Sequence, residues 1–207
     1  MRIVALADTH GEHRALQVPD GDVLVHAGDL TQRGTRPQLE DVAAWLRALP
    51  HRHKVVIAGN HDFWLQGNRE GARELFAGLH YLEDEEVTLE GVRFYGSPWQ
   101  PWFHDWAFNA RRGAALDAIW QRIPAGVDVL VTHGPPEGLG DRVWSGERVG
   151  CADLLRHLAR VRPRVHFFGH IHEDRGEWQH GPTRVVNCST SEGELPPVVV
   201  ELTSPAR

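Results

Sequence analysis

Seven polar residues of the types that bind metal ions follow short apolar runs along this sequence. They are Asp8, His10, Asp29, Asn60, His133, His170 and His172. Five of the seven adjoin a glycine, and glycine lets the backbone come close to an ion. Because strands of an α/β fold deliver functional side chains from their carboxyl ends, five strand ends with this composition predict one shared metal site.

Seven ligands are too many for one tetrahedral zinc ion, but they suit two ions that share a bridging carboxylate. Carboxylates, imidazoles and an amide favour manganese, iron, zinc or cobalt over calcium. We expect manganese first, with iron, zinc, cobalt or magnesium as alternatives. Two divalent ions, the carboxylates of Asp8 and Asp29 and a bridging hydroxide together leave one positive charge. Such a site suits an anion that gains charge during the reaction, for example a phosphate ester.

His61 directly follows Asn60 and is not needed as a ligand if Asn60 binds the metal. We therefore expect its imidazole to face the substrate and to stabilise or protonate the leaving oxygen. His61 and Asp29 are thus the expected catalytic residues. A carboxylate, either Asp29 or Asp62, would orient the ring, although Asp62 could equally be a cap or turn residue.

An aromatic stretch, residues 99–108, invites a role in substrate binding. Indole rings such as those of Trp102 and Trp106 can stack on a nucleobase, and polar side chains that follow them could contact phosphate. The alternative is that these large side chains pack a long loop onto the sheets. The expected substrate contacts are Asn60, His61, Trp102, Trp106, Asn109 and Arg111.

Alternating strands and helices must position these side chains. The apolar runs predict strands at Ile3–Ala7, Val23–His26, Val55–Ala58, Val87–Leu89, Val92–Tyr95, Val127–Thr132, Val165–Phe168, Arg184–Asn187 and Val198–Leu202. Apolar residues three to four apart predict a helix opened by Pro37 and helices at Gly71–Ala77, Ala114–Arg122 and Cys151–Arg160. Residues 96–109 are expected to be irregular. The order of elements predicts an α/β (α+β) protein whose β-sheet region is mixed.

Length and composition limit the fold and the function. The 207 residues suffice for one domain, residues 1–207, with a substantial core. A net charge of -6 argues against binding long nucleic acid, which requires clustered basic residues. Neither a signal peptide nor a membrane span is expected, and two distant cysteines fit a reducing cytosol. We therefore expect a cytoplasmic protein, while its oligomeric state stays open.

The candidate ligands form motifs with a characteristic order: Asp8-x-His10, Gly28-Asp29, Gly59-Asn60-His61-Asp62, His133 and Gly169-His170-x-His172. This set resembles the calcineurin-like metallophosphoesterases, and residues 49–54, 95–101 and 128–136 look like the metallophosphoesterase-domain-containing phosphodiesterases. The resemblance implies two mixed β-sheets packed as a sandwich and flanked by helices, in four layers. It also implies one ion on Asp8, His10, Asp29 and His172, and the other on Asp29, Asn60, His133 and His170.

The expected function is the hydrolysis of small phosphodiesters, with 2′,3′- or 3′,5′-cyclic nucleotides as candidate substrates. A hydroxide that bridges the two ions would attack phosphorus in line with the departing oxygen. One alternative is a phosphomonoesterase or nuclease of the same superfamily. Another is a non-catalytic protein-binding scaffold with the same fold, but a scaffold would be expected to have lost ligands, and here the set is complete.

Overall fold

The described part of the chain contains thirteen strands, four α-helices and two short 3₁₀ helices, at His13–Ala15 and His172–Asp174. The computed structural model describes residues 1–203. In chain order the elements are β1 (Arg2–Leu6), β2 (Val23–Ala27), α1 (Arg36–Ala48), β3 (His53–Ile57), α2 (Arg69–Leu75), β4 (His80–Tyr81), β5 (Glu85–Leu89), β6 (Val92–Ser97), β7 (Gln100–Pro101), β8 (Asn109–Ala110), α3 (Ala114–Trp120), β9 (Val129–Thr132), α4 (Ala152–Val161), β10 (Val165–Phe168), β11 (Gly176–His180), β12 (Thr183–Asn187) and β13 (Val198–Glu201).

Eleven of these strands form two mixed sheets, as the family resemblance implies. The first sheet has the order β13-β1-β2-β3-β4, in which β13 runs antiparallel to β1 and the other pairs are parallel. The second has the order β11-β12-β10-β9-β6-β5, with parallel pairs in the middle and an antiparallel pair at each edge. The strands β7 and β8 form a separate short ribbon.

Both faces of the two sheets are buried. In β1, Ile3 and Ala5 belong to a core that also contains Val131 and Phe167 of the second sheet. The intervening Val4 belongs to a second core with residues of α1 and α2, and a third core lies between the second sheet, α3 and α4. Because side chains of an extended chain alternate between two faces, the strands build four layers in the order helices, sheet, sheet, helices. The predicted arrangement is confirmed.

Side chains cap the first turns of two helices, α1 and α4. Before α1, the backbone N–H of Thr35 donates to the side-chain oxygen of Gln38 at 3.4 Å, and Pro37 is suited to the first turn, where its missing N–H costs nothing. Before α4, the Sγ atom of Cys151 accepts the N–H of Leu154 at 3.3 Å. None of the helices within residues 1–203 combines the length and apolar character needed to cross a bilayer.

Most predicted strands and helices are present close to their predicted bounds. The structure adds β4 and β11, which lack the apolar runs from which the other strands could be predicted. The expectation that residues 96–109 are irregular is wrong in part. The strand β6 extends to Ser97, and β7 pairs with β8 across the aromatic stretch.

The carboxyl ends of the central strands meet at one edge of the sandwich. The carboxylate of Asp8, after β1 in the first sheet, accepts the backbone N–H of His170, after β10 in the second. The backbone N–H of Ala7 donates to the carbonyl of Cys188 at 3.1 Å, which links the same two sheets. The edge that carries the polar loops is therefore shared by both sheets.

Candidate metal centre

All seven predicted ligands lie in the loops that follow β1, β2, β3, β9 and β10. Four of them, Asp8, His10, Asp29 and His170, have φ angles of 55°, 45°, 52° and 70°. A left-handed backbone is uncommon outside glycine and costs about 1–3 kcal/mol at each position. Its recurrence at four candidate ligands indicates that the loops are shaped to aim these side chains rather than to minimise backbone strain.

The first ligand group joins Asp8, His10 and His172, whose candidate ligand atoms all lie within 4.8 Å of one another. The Nε2 atom of His172 is 3.8 Å from Oδ2 of Asp8. The backbone N–H of His170 fixes this carboxylate by donating to its oxygens at 2.9 and 3.1 Å. The Nδ1 atom of His10 is buried without a hydrogen-bond partner within residues 1–203, although buried polar atoms normally have one.

The second ligand group joins Asp29, His133 and His170, again with all ligand atoms within 4.8 Å. The amide oxygen of Asn60 lies 2.8 Å from Nε2 of His133, so it belongs to the same group. On the other side of the ring, Nδ1 of His133 is 3.0 Å from the carbonyl oxygen of Ala27. A carbonyl can only accept, so Nδ1 carries the proton and Nε2 is the atom available to a metal ion.

Asp29 connects the two groups. Its Oδ2 atom lies 3.4 Å from Nε2 of His133 and 3.6 Å from Nε2 of His10, while Oδ1 accepts the backbone N–H of His61 at 2.8 Å. Burial alone would raise the pKa of this carboxyl, but the imidazoles of His133 and His10 outweigh burial and hold its pKa well below the usual range. Asp29 is therefore a fixed carboxylate in the position expected for a bridging ligand.

His61 lies beside the ligands. Its ring centroid is 4.5 Å from that of His10 and 4.2 Å from that of Trp106, on which it stacks. Its Nδ1 atom is 2.9 Å from the carbonyl oxygen of Gln32, so Nδ1 donates and Nε2 is left for other partners. The expectation that a carboxylate orients this ring is wrong, because a backbone carbonyl does so. The side chain also forms a group within 4.8 Å with His10 and Asp29, so it can reach a molecule bound there.

Asp62 ties the loop after β2 to the loop after β3. Its buried carboxylate accepts the backbone N–H groups of Leu30, Thr31 and Gly59 at 3.1, 3.2 and 2.8 Å. It also accepts the hydroxyl of Thr31 at 3.1 Å. Of the two roles left open for Asp62, the structure supports the turn residue, since its oxygens are engaged by the loops and not by the ring of His61.

The predicted substrate contacts divide into two sets. Trp106 lines the cavity over the ligands, together with Asn60 and His61, and Trp102 lines an adjoining cavity. The amide of Asn109 donates to two carbonyls of its own loop, at 3.3 and 2.8 Å, and so holds the aromatic stretch in shape. Arg111 is exposed and lines neither of these two cavities. Contact with a substrate remains a prediction for all of these residues.

Comparison with known proteins agrees with this geometry. The profile of the family described as calcineurin-like phosphoesterase matches residues 1–174. The chain belongs to the calcineurin-like phosphoesterase family. Metallophosphoesterase domain-containing protein 1 of Homo sapiens is 43% identical over 233 aligned residues, which span 99% of this chain and 72% of the human protein.

Two further similarities support the assignment. A UPF0046 protein of Caenorhabditis elegans is 40% identical over 219 residues, which span 91% of this chain and 55% of the worm protein. A solved structure that is only 15% identical covers 98% of this chain and 99% of its own, with a TM-score of 0.73. At that identity the likeness shows the fold alone, which is the calcineurin-like fold predicted from the motifs.

Calcineurin-like phosphoesterases bind divalent metal ions, and the residues of this site fit that role. Two carboxylates, from Asp8 and Asp29, lie among imidazoles and are almost wholly buried. Buried charges normally need a counter-charge. The proton position on His133 leaves its Nε2 atom available for coordination, and Nε2 of His10 lies 3.6 Å from Oδ2 of Asp29. The donor set is thus complete for divalent ions.

Two buried hydrogen-bonded pairs behind the phosphoesterase site were not predicted. The hydroxyl of Thr9 donates to a carbonyl of the loop after β2 at 3.1 Å and lies 3.0 Å from Nε2 of His26. In the second sheet, the hydroxyl of Thr132 donates to a carbonyl of the loop after β9 at 2.8 Å and lies 2.8 Å from Nε2 of His166. Each imidazole must therefore be the donor. Each pair ties a loop that carries ligands to its sheet. A threonine at or after the end of one strand and a histidine in its neighbour carry no distinctive sequence signal.

Glycine is required at positions 59 and 169 because atoms of neighbouring residues lie too close to the backbone there for a Cβ atom. A Cβ atom on Gly59 would lie 2.2 Å from the backbone nitrogen of Asp29 and 2.7 Å from Cε1 of His133. A Cβ atom on Gly169 would lie 2.4 Å from Oδ2 of Asp8. Only a residue without Cβ fits either position, which explains why glycine precedes Asn60 and His170 in this phosphoesterase.

Proposed function

We propose that this phosphoesterase is a phosphodiesterase that uses two divalent metal ions to hydrolyse small phosphodiesters, with 2′,3′- and 3′,5′-cyclic nucleotides as candidate substrates. Manganese is the metal proposed first. The observation that carries the proposal is the place of Asp29, whose Oδ2 atom faces both His10 and His133 at 3.6 and 3.4 Å. One carboxylate oxygen directed at two ligand groups is the arrangement that a pair of ions needs.

The two ligand groups described above would each hold one ion. Asp8, His10 and His172 would hold one ion, Asn60, His133 and His170 the other, and Asp29 both. When bound, the ions supply an activated water and neutralise charge on the phosphoryl oxygens. Because the carboxylates of Asp8 and Asp29 are buried and fixed by backbone N–H groups, the ligands need little rearrangement to bind the ions.

His61 is proposed to act on the leaving oxygen. The carbonyl of Gln32 fixes Nδ1, and stacking on Trp106 restricts the plane of the ring. With Nδ1 donating to that carbonyl, the imidazolium form of His61 also carries a proton on Nε2. This proton can pass to the ester oxygen as its bond to phosphorus breaks, which leaves the neutral imidazole. Proton transfer from a positioned imidazole contributes about 10²- to 10⁴-fold to the rate of such reactions.

The size and charge of the site support small substrates. The cavity over the ligands has a volume of about 300 Å³ and is lined by His61 and Trp106 beside the ligands. The net charge of the chain, -6, opposes long polyanions, so we propose a nucleotide-sized diester as partner. We also propose a cytosolic location, which the two free, buried cysteines support.

Initial rates on a substrate panel test this function. The protein is freed of metal, reloaded with Mn²⁺, and assayed with bis(4-nitrophenyl) phosphate, 2′,3′- and 3′,5′-cyclic nucleotides and 4-nitrophenyl phosphate. We expect turnover only with added metal, and a larger kcat/KM for at least one diester than for the monoester. A dominant rate on the monoester would contradict the diesterase assignment, and absence of both bound metal and turnover would favour the scaffold.

A further inference from the structure

A second cavity, of about 460 Å³, adjoins the metal centre. It shares Phe103, His170 and Glu173 with the cavity over the ligands. Its other walls include Trp102 and Trp144 together with proline and valine side chains. Because the two cavities have walls in common, a molecule held at the metal centre can extend into the second one. We call this second cavity the aromatic cleft.

Large apolar side chains are unusually exposed around the aromatic cleft. Trp144 is 87% exposed, Trp102 57% and Phe103 52%. These are three of the five exposed large hydrophobic side chains in residues 1–203, and all three line this one cavity. Exposed aromatic clusters of this kind commonly mark binding sites, because water contact with so much apolar surface is unfavourable.

The segment that carries Trp144, residues 141–150, is held firmly at its base. The buried carboxylate of Asp141 accepts two backbone N–H groups, at 2.9 and 3.2 Å, and pairs with Arg148 at 2.6 Å. From outside the segment, the guanidinium of Arg112 donates to two of its carbonyls, both at 2.6 Å. The tryptophan is therefore presented on a fixed support, which reduces the entropy lost when a ligand binds.

Negatively charged side chains around the aromatic cleft make it unfavourable for a phosphate group. The guanidinium of Arg112 is engaged by backbone carbonyls, and the acidic residues among the lining side chains are Glu147 and Glu173. A phosphoryl group is repelled by carboxylates and attracted to the cationic metal centre. An uncharged planar group that carries N–H donors suits the cleft, since its faces can meet indoles and its edges carboxylates.

We propose that the aromatic cleft binds a planar aromatic ester group of the substrate, such as a nucleobase, with Trp144 and Trp102 as stacking surfaces. The inference rests on the proposed function, because it requires the phosphoryl group to sit at the metal centre. It deepens that function by naming the part of the substrate that is selected. The enzyme should therefore prefer diesters that carry an aromatic group over wholly aliphatic ones.

Calorimetric binding of two phosphonates tests the cleft without turnover, because a carbon–phosphorus bond is not hydrolysed by a phosphoesterase. On Mn²⁺-loaded protein, 2-naphthylmethylphosphonate should bind about tenfold or more tightly than methylphosphonate, as expected for one stacked aromatic group. Trp144→Ala should remove most of this advantage by weakening only the naphthyl ligand. Trp144→Phe, which keeps an aromatic face, should retain most of it, and Leu195→Ala, an exposed apolar residue outside the cleft lining, should retain all of it.

Two results would overturn the inference. One is an unchanged ratio of the two dissociation constants in Trp144→Ala and Trp102→Ala. The other is an equal loss for both phosphonates, which would mean that the segment supports the metal centre instead of an aromatic ligand. Hydrolysis of bis(4-nitrophenyl) phosphate by the same preparations separates the two proposals. A wild type that hydrolyses this diester with metal but binds the two phosphonates equally contradicts the cleft alone. A wild type without metal-dependent hydrolysis contradicts the proposed function.

Discussion

Asn60 and His61 are neighbours in sequence, yet their side chains have different partners. The amide oxygen of Asn60 lies 2.8 Å from Nε2 of His133 in the second ligand group. The ring of His61 is held instead by the carbonyl of Gln32 and by stacking on Trp106. A change of His61 should therefore affect the proton transfer without removing the metal ligands.

His61→Ala should lower kcat while leaving the bound metal unchanged. The expected loss is about 10²- to 10⁴-fold for a diester with an alkyl leaving group, which needs a proton as it departs. The loss should be smaller for bis(4-nitrophenyl) phosphate, because 4-nitrophenolate leaves readily as an anion. Steady-state kinetics on both substrates, combined with metal analysis of the purified variant, measure the two effects.

The matched control for this variant is His180→Ala, which removes an imidazole from the edge strand β11. It should resemble the wild type in kinetics and metal content. Loss of metal from His61→Ala, or wild-type turnover of the alkyl ester, would show that His61 is a ligand or a bystander.

The clustering of the seven candidate ligands could be predicted because their residue types are rare together and recur at five strand ends. The partner of His61 could not, since Gln32 acts through its backbone carbonyl, which every residue possesses. The same limit applies to Asp62. Its carboxylate is recognisable in sequence, but the four donors that surround it come from backbone and hydroxyl groups of two loops.

Among the elements, the turn after β3 depends on how closely it approaches its neighbours. A Cβ atom at Gly59 would overlap the backbone of Asp29 at 2.2 Å, whereas one at Gly134, after β9, would meet nothing nearer than 3.4 Å. Gly59→Ala should therefore displace Asp29 and lose metal and activity together. Gly134→Ala, an identical change at another strand end, should keep both, as metal analysis and diesterase assays would show. Equal metal content and equal activity in the two variants would show that the close contact at Gly59 does not position Asp29.

Buried histidines in the strands should make stability depend on pH. Burial lowers the pKa of His166, in β10, to about 3, so the folded protein keeps it neutral while the unfolded chain protonates it near pH 6.5. Between these values the unfolded state binds more protons, and stability falls with falling pH by about 1.4 kcal/mol per unit for this residue. Stability is thus retained above pH 6.5 and lost below it.

His166→Gln removes this titration, so the stability advantage of the wild type over the variant should shrink steadily as the pH is lowered from 6.5. Urea unfolding of metal-free protein at several pH values measures the difference. His26→Gln should behave in the same way, because burial also lowers the pKa of His26, to about 3. Parallel pH curves for wild type and variants would show that these imidazoles are protonated in the fold.

Elements with strong apolar runs could be predicted, and those stabilised by neighbours could not. The core strands β1, β3 and β10 bury most of their side chains, so their composition alone indicates a strand. The strand β11 is half-exposed and polar, and it forms because it pairs antiparallel with β12. The ribbon of β7 and β8 depends likewise on a pairing across the aromatic stretch, which periodicity does not report.

For the whole molecule, the order of motifs could be read from the sequence, but the pairing of strands into two sheets could not. Alternation shows which side chains are buried and not which strands become neighbours. The sandwich was therefore expected from the family resemblance. The structure adds that both sheets contribute to the candidate metal centre at one edge of the sandwich: loops of the first carry Asp8, His10, Asp29 and Asn60, and loops of the second carry His133, His170 and His172.

Metal removal should consequently destabilise the entire fold, because ions that bind only the folded protein hold the loops of both sheets together. At free metal one hundred times the dissociation constant, one such ion adds about 2.7 kcal/mol. For a chain of this size that corresponds to a fall in Tm of about 5–10 °C when metal is withdrawn. Calorimetric scans in Mn²⁺ and in EDTA should show this difference for the wild type. Asp29→Ala, which lacks the shared ligand, should show little of it, and a wild type whose Tm is the same in both buffers would mean that no ion joins the sheets.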